Sequence, residues 1–337
     1  MDDDLLAKFV SLVNNAARIT IIQPNNPDGD SLGSALALEQ ILSDLGKQIY
    51  LFCGISIPNY LRYLPGWDRV NNETALVQSD LFIIVDTSTM SLLDRVGASE
   101  PITQLIRRKP LIIIDHHVSS DDSLAYAAVS IKVPTAAATG EVIYDISGRL
   151  GWEIKADGKY ALAAAILSDS LGLTTPNTTG RTIHIIGELV EGGVSIPALE
   201  RARRDYMRKS PELVHYKGEL LQRIEYYNDD KLALLCIPWE EIEKYSPQYN
   251  PSMLAIEDMR LTTNTIIAVA LKSYQDGHFT AKIRTNYGSP VAAKLAEKFG
   301  GGGHEYASGF KLTGGTLSEI KNQVIEYSRE LLLNETV

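Results

Sequence analysis

The chain has 337 residues, about twice a typical domain length, so one small domain is excluded and two domains are expected. Hydrophobic residues at 45% and charged residues at 22% exclude wholesale disorder. Its 32 basic and 42 acidic residues give a formal net charge of −10, a field that repels a long duplex and leaves nucleic-acid contact to a local basic patch or a bound cation.

The N-terminus opens Met1-Asp2-Asp3-Asp4 and shows neither the basic flank of a signal peptide nor an apolar run long enough for a bilayer, so a cytoplasmic protein without membrane contact is expected. Runs at 18–23 (RITIIQ), 48–53 (QIYLFC), 81–86 (LFIIVD) and 111–115 (LIIID) are apolar at consecutive positions, which suits strands buried on both faces of a parallel sheet. Helical patterns at 31–47 and 91–108 lie between them, giving the rhythm of an open α/β sheet with helices on both faces. Asp86 and Asp115 end their runs, while Asp28 and Asp30 follow the first by a short turn. Ligand sites in such sheets form beyond the carboxyl ends of the strands, so three strands deliver carboxylates to one crevice. Cys53 and Cys236, far apart in apolar runs, read as buried free thiols.

A linker is expected over 191–212, dividing a first domain at 1–190 from a second at 213–337. The second half carries strand-like runs at 231–237, 265–273 and 279–285, the last two joined by Asp276-Gly277, a hairpin signal. Ser289-Pro290 reads as a helix start, 307–312 as a strand, and Thr316 with Glu319 as a capping box opening a last helix. This predicts an α+β domain with a mixed or antiparallel sheet.

Asn26-Pro27-Asp28-Gly29-Asp30-Ser31 sets two carboxylates before a helix, an arrangement that holds a divalent cation or serves simply as a turn and cap. Asp86-Thr87-Ser88 carries the same two readings. Asp115-His116-His117 is more specific, because imidazole beside several carboxylates suits Mn²⁺, Fe²⁺ or Zn²⁺ before Ca²⁺. Asp169 ends an alanine-rich apolar helix, where the dipole disfavours a carboxylate unless a cation is near. His184, His215 and His278 lack metal spacing, and no Gly-x-Gly-x-x-Gly follows the first strand, which excludes a dinucleotide-binding dehydrogenase.

In order, 26–34 (NPDGDSLGS), the Val85-Asp86-Thr87-Ser88 run, Asp115-His116-His117 and Asp169 resemble the four motifs of the DHH phosphoesterases, and Gly300 to Gly309 (GGGGHEYASG) resembles the signature of the associated DHHA1 substrate domain. The resemblance covers nearly the whole chain and is closest to the compact branch of nanoRNase and pAp phosphatase enzymes. RecJ-like exonucleases are longer, and family II pyrophosphatases lack the glycine run.

The resemblance implies hydrolysis of phosphoesters with two divalent ions, Mn²⁺ before Mg²⁺ or Co²⁺, in a cleft between the domains. It implies that Asp28 binds one metal, Asp86 bridges both, and Asp30, His116 and Asp169 complete the second, with Asp115 and His117 supporting the site or touching phosphate. Arg284, Gly301, Gly302, Gly303, His304 and Ser308 are implied to bind substrate. One departure stands out: the family's motif I histidine, four residues before the first aspartate, is here Pro24, with Gln23 and Asn25 beside it. A neutral amide oxygen, water or a weak first site then takes its place.

The leading expectation is removal of 5′-mononucleotides from very short RNA, with dephosphorylation of pAp. A phosphodiesterase for linear or cyclic dinucleotides is the alternative, and a non-hydrolytic nucleotide-binding protein with a degraded metal site is a third reading. A homodimer is one outcome the sequence leaves open.

Overall fold

The computed structural model describes residues 2–74, 78–93, 102–117 and 124–334, the side chains of Ser91, His304 and Asn334 excepted. The chain divides into two compact units, Met1–Arg208 and Lys209–Val337.

The first unit is built on β1 (Arg18–Gln23), β2 (Gln48–Cys53), β3 (Leu81–Val85), β4 (Leu111–Asp115) and β5 (Val129–Lys132). They form one all-parallel sheet in the order β2-β1-β3-β4-β5. Strand parity explains the consecutive apolar residues. Ile19, Ile21, Ile83, Val85, Ile112 and Ile114 point to one core, shared with α1 (Asp3–Asn15), α2 (Gly29–Asp44) and four later helices, while Ile22, Phe52, Phe82, Ile84 and Ile113 point to the other. That second face is covered by α3 (Ile102–Leu105) and the short turns beside it. Each fully buried isoleucine contributes about 1.5–3 kcal/mol, so the sheet is anchored from both sides.

The first core is closed by α4 (Thr139–Leu150), α5 (Ala156–Asp169), α6 (Gly180–Glu191) and α7 (Ile196–Tyr206). The expected linker therefore carries a helix: Leu199 of α7 is buried in the first core, and the division between units falls after Arg208. The helix expected over 91–108 is seen only as α3 and single 3₁₀ turns on either side, with 94–101 outside the described residues. Strand β5, only four residues long, escaped the sequence pattern.

The second unit contains α8 (Pro211–Gln222), β6 (Glu225–Tyr227), β7 (Leu232–Ile237), α9 (Trp239–Tyr245), α10 (Pro251–Arg260), β8 (Ile267–Ser273), β9 (His278–Thr285), α11 (Ala292–Glu297), β10 (Gly302–His304), β11 (Ala307–Thr313) and α12 (Leu317–Asn334). Its six-stranded sheet has the order β10-β11-β9-β8-β7-β6 and is mixed, because β7 and β8 run parallel while the other neighbours run antiparallel. Gly277 at φ 79° closes the expected β8–β9 hairpin. The capping box of α12 is present, with the Thr316 amide donating to Glu319 Oε2 at 2.7 Å and the Glu319 amide to Thr316 Oγ1 at 3.2 Å. Helix α11 starts later than Ser289-Pro290 implies. The Val291 amide turns back to the Ser289 carbonyl at 2.9 Å, a turn too tight to run on as helix, and Val291 becomes the N-cap. No described helix is long and apolar enough to cross a membrane.

Candidate metal centre

The loop after β1 enters α2 through a capping box in which Ser31 N donates to Asp28 Oδ1 and Asp28 N to Ser31 Oγ, both at 2.9 Å. The cap reading of Asp28 is thus correct, but it occupies one oxygen only. Asp30 is fully buried in the first turn of α2, where Oδ1 accepts from Ser34 Oγ and Gly140 N at 3.0 Å each and Oδ2 accepts from Thr139 N at 2.6 Å. Asp86 follows β3 at φ 62°, a left-handed conformation that aspartate tolerates better than most residues, and its Oδ1 receives Thr139 Oγ1 at 3.1 Å.

Beyond β4, the His116 Nδ1 donates to the Ala136 carbonyl at 3.2 Å, which fixes the ring and turns Nε2 toward the acids. That nitrogen lies 3.1 Å from Asp169 Oδ2, 3.7 Å from Asp86 Oδ1 and 3.8 Å from Asp30 Oδ2. His117 Nδ1 is bound to Asp115 Oδ1 at 2.8 Å and stands 3.7 Å from Asp86 Oδ1.

Asp169 arrives on the last residue of α5, and three glycines let that helix come close. A β-carbon at Gly29 would lie 2.3 Å from Ser168 Oγ, one at Gly33 2.5 Å from the Ala161 carbonyl, and one at Gly140 2.7 Å from Ala165 Cβ.

Burial raises the carboxyls of Asp28, Asp30 and Asp86 above their ordinary range, and mutual repulsion, including that of Asp169, raises them further; Asp30 is pushed to about 6. Burial alone would lower His116, yet Asp169 and Asp30 outweigh it and lift the imidazole to about 9. Asp115 is pushed up by burial but held below the usual carboxylate range by its bonds to His117.

This set fits a divalent cation. The ligand atoms of Asp30, His116 and Asp169 lie within 4.8 Å of one another, as do those of Asp86, His116 and His117. His116 Nε2 is buried without a well-formed hydrogen bond among the described residues, which is what a ligand nitrogen requires and what a structural histidine avoids. The structure brings together Asp28, Asp30, Asp86, Asp115, His116, His117 and Asp169. It also leaves Gln23 and Asn25 buried at the end of β1 with both amide atoms of each unpartnered among the described residues. Between them the Pro24 carbonyl accepts the Cys53 thiol at 3.3 Å, a thiol that burial pushes up to about 11 and so keeps inert.

Thr139 and Gly140 are site residues that sequence reasoning missed. Helix α4 starts at Ala138, which has no side chain to cap it, and only the fold shows that the distant Asp30 does so.

The predicted substrate residues belong to the second unit. Arg284 is half-buried on β9 and Ser308 is buried with its hydroxyl donating to the Ala292 carbonyl at 2.5 Å. The glycine run is partly strand β10 rather than an open loop: a β-carbon at Gly301 would meet the Gly309 carbonyl at 2.3 Å and one at Gly303 the Ser308 Cα at 2.7 Å, while Gly302 faces open space. The backbone of His304 pairs with Ala307, and its side chain lies outside the described residues.

Residues 18–168 match the DHH family, N-terminal domain. The bifunctional oligoribonuclease and PAP phosphatase NrnA of Thermus thermophilus is 26% identical over 310 residues, 91% of this chain and 88% of that protein. Two solved structures share the fold. An exopolyphosphatase-related protein from Bacteroides fragilis has a TM-score of 0.86 at 22% identity and covers 98% of each chain. RecJ from Thermus thermophilus in complex with Mn²⁺ has a TM-score of 0.57 at 15% identity, covering 97% of this chain and 54% of that one. The acids and imidazole gathered beyond β1, β3 and β4 lie inside the matched stretch, with Asp169 directly after it, and residues 18–168 are a DHH-family N-terminal domain, that of a phosphoesterase.

Proposed function

We propose that this phosphoesterase removes 5′-mononucleotides from very short oligoribonucleotides and dephosphorylates pAp, using two divalent ions, with Mn²⁺ preferred over Mg²⁺ or Co²⁺. The observation that carries the reading is the convergence of three carboxylates, those of Asp169, Asp86 and Asp30, on Nε2 of His116, supported by the two activities named for the Thermus thermophilus relative. Asp30, His116 and Asp169 would hold one ion, Asp28 the other, and Asp86 both. Ions bound there supply Lewis acidity toward phosphoryl oxygens and acidify the attacking water. The protein's own groups do the rest. The Thr139 hydroxyl orients Asp86, the amides of Thr139 and Gly140 fix Asp30, and the Ala136 carbonyl holds His116. His117, oriented by Asp115, would stand close to the substrate phosphate.

The second unit is read as the DHHA1 substrate-binding domain, with Arg284, Gly301 to Gly303, His304 and Ser308 as its substrate residues. The acidic chain favours short substrates, since a long strand meets the repulsion of the whole surface.

Product analysis tests this with pAp, linear dinucleotides and RNAs of two to twenty-four nucleotides under Mn²⁺, Mg²⁺ and Co²⁺. AMP from pAp, and mononucleotides from the shortest RNAs at a rate about tenfold above the longest, are expected. Equal rates across all lengths would overturn the short-substrate reading, and cleavage of dinucleotides alone would favour a dinucleotide phosphodiesterase.

A further inference from the structure

Helix α5 turns back on itself directly after Asp169. The Leu171 amide donates to the Ser168 carbonyl at 3.2 Å and the Gly172 amide to the Leu167 carbonyl at 2.8 Å, the paired bonds of a Schellman terminator. Its reversal point is Leu171 at φ 46°, a position that glycine commonly fills in helices ending this way, because a side chain crowds the backbone there. The glycine of this chain comes one residue late, and Gly172 at φ 72° and Leu173 at φ 71° extend the left-handed run. Hydroxyls fasten the turn. That of Ser170 donates to the Ile166 carbonyl at 2.6 Å and accepts the Leu173 amide at 3.0 Å, and that of Thr174 donates to the Leu171 carbonyl at 2.8 Å.

The Leu171 side chain adds little to the core. Leu167 and Leu173 on either side of it pack against the first core, whereas Leu171 is 70% exposed. Its place on the chain is the rim of the metal centre. Asp169, two residues earlier, stands 3.1 Å from His116 Nε2, and two residues of chain span at most about 7 Å. At the other end of the same loop Asn177 donates to the Ala137 carbonyl at 3.2 Å, between Ala136, which holds His116, and Thr139, which holds Asp30 and Asp86. The loop over 170–177 is thus tied to the metal centre at both ends, and it carries a bare aliphatic side chain near its start.

We propose that Leu171 is a specificity-determining residue that lies against the nucleobase beside the scissile phosphate. The identity of the substrate rests on the hydrolase reading above; the strained, exposed leucine on the rim does not. The groups of the centre itself are carboxylates, imidazoles, amides and a hydroxyl, which suit ions and phosphoryl oxygens and leave the apolar face of a base without a partner. A leucine on the rim supplies one. It has no hydrogen-bonding group, so the contact accepts any base and discriminates only against the absence of one. Covering about half of one leucine is worth about tenfold in affinity.

The test compares the unmodified chain with Leu171→Gly on the dinucleotide pApA and on two analogues, each lacking one of its bases. With Mn²⁺ the unmodified chain should show kcat/KM for pApA about tenfold above that for one of the analogues. Leu171→Gly should shrink that ratio to below about threefold, with its rate on the analogue unchanged. Equilibrium titration with Ca²⁺ in place of Mn²⁺ reads the same ratio as affinity and does not rely on turnover. Melting temperature separates this from a structural role. Glycine relieves the left-handed position, so Tm of the metal-free chain should rise by about 2–4 °C, whereas a leucine that packs the fold would lower it on removal. A ratio unmoved by the substitution, equal loss on pApA and both analogues, or a lower Tm would overturn the assignment. Hydrolysis of pApA no faster than of either analogue would overturn it too and leave the hydrolase reading standing. A ratio in the titration that Leu171→Gly abolishes, with no hydrolysis under Mn²⁺, would sink the hydrolase reading and leave Leu171 in its role.

Discussion

The Asp30 carboxylate accepts the Thr139 amide at 2.6 Å, so helix α4 is capped by a side chain that belongs to α2, 109 residues earlier. The same carboxylate faces His116 at 3.8 Å. One group therefore serves both helix α4 and the metal centre, and substitutions can separate the two roles. Asp30→Asn keeps an acceptor for one of the two amides and should retain part of the stability while losing metal affinity. Asp30→Ala leaves two buried amides unpaired and should cost about 2 kcal/mol or more, offset in part by relief of carboxylate repulsion. Denaturation in chelator, set beside Mn²⁺ titration, measures both. Equal stability of the two variants would show that the cap contributes nothing.

Asp86 is expected to be the least replaceable ligand, since it lies close to both His116 and His117. Asp86→Ala should abolish hydrolysis of every substrate. Thr139→Val, which removes only the hydroxyl that orients Asp86, should lower metal affinity or kcat by about 10- to 100-fold with Tm nearly unchanged. Turnover by Asp86→Ala at a tenth of the unmodified rate would contradict a shared ligand.

Gln23 and Asn25 give the altered first motif a physical signature. A buried amide without partners costs about 1–3 kcal/mol, which a bound ion or water can recover. Gln23→Leu should raise Tm in chelator and weaken the looser of two Mn²⁺ binding events. Pro24→His should tighten that event if the loop can present an imidazole, and Gln23→His if the strand end presents it instead. Two equally tight ions in the unmodified chain, unmoved by any of these substitutions, would show that the orphan amides are unrelated to metal.

Stability should also depend on pH through Lys272. Burial, and then the charge of Lys282, brings the folded-state pKa down to about 8, below the ordinary lysine value of ~10.4 expected in the unfolded chain. Between these values the unfolded chain holds a proton that the folded protein has shed, so stability rises with pH across that window and is flat below it. Tm of the metal-free protein between pH 8 and 10 should rise more steeply than that of Lys272→Met. Parallel curves would place the lysine in water.

Much of this was legible in the chain. Consecutive apolar residues located four strands of the first sheet to within a residue, because a strand buried on both faces leaves no polar position to blur its ends. The acids following β1, β3 and β4 marked the site for the same reason: polar residues at the end of such a run require an explanation. What escaped depended on contacts between distant residues. Nothing local marks Thr139 as a partner of Asp30 and Asp86, and the charged run around Leu199 looks like a linker until its few apolar residues meet the first core. The resemblance gives the glycine run to substrate, and packing sets a second demand that nothing local reveals: Gly301 and Gly303 must be small because β11 passes against them.

The close approach of α5 has a consequence for natural variation. Gly33 touches no ligand atom, yet a single methyl group there would strike the Ala161 carbonyl and shift the helix that ends in Asp169. A survey of tolerated substitutions would score this glycine as severely as the aspartates, so a map of intolerance drawn on this protein would be larger than its chemistry. The surplus would trace the packing that holds α5 in place.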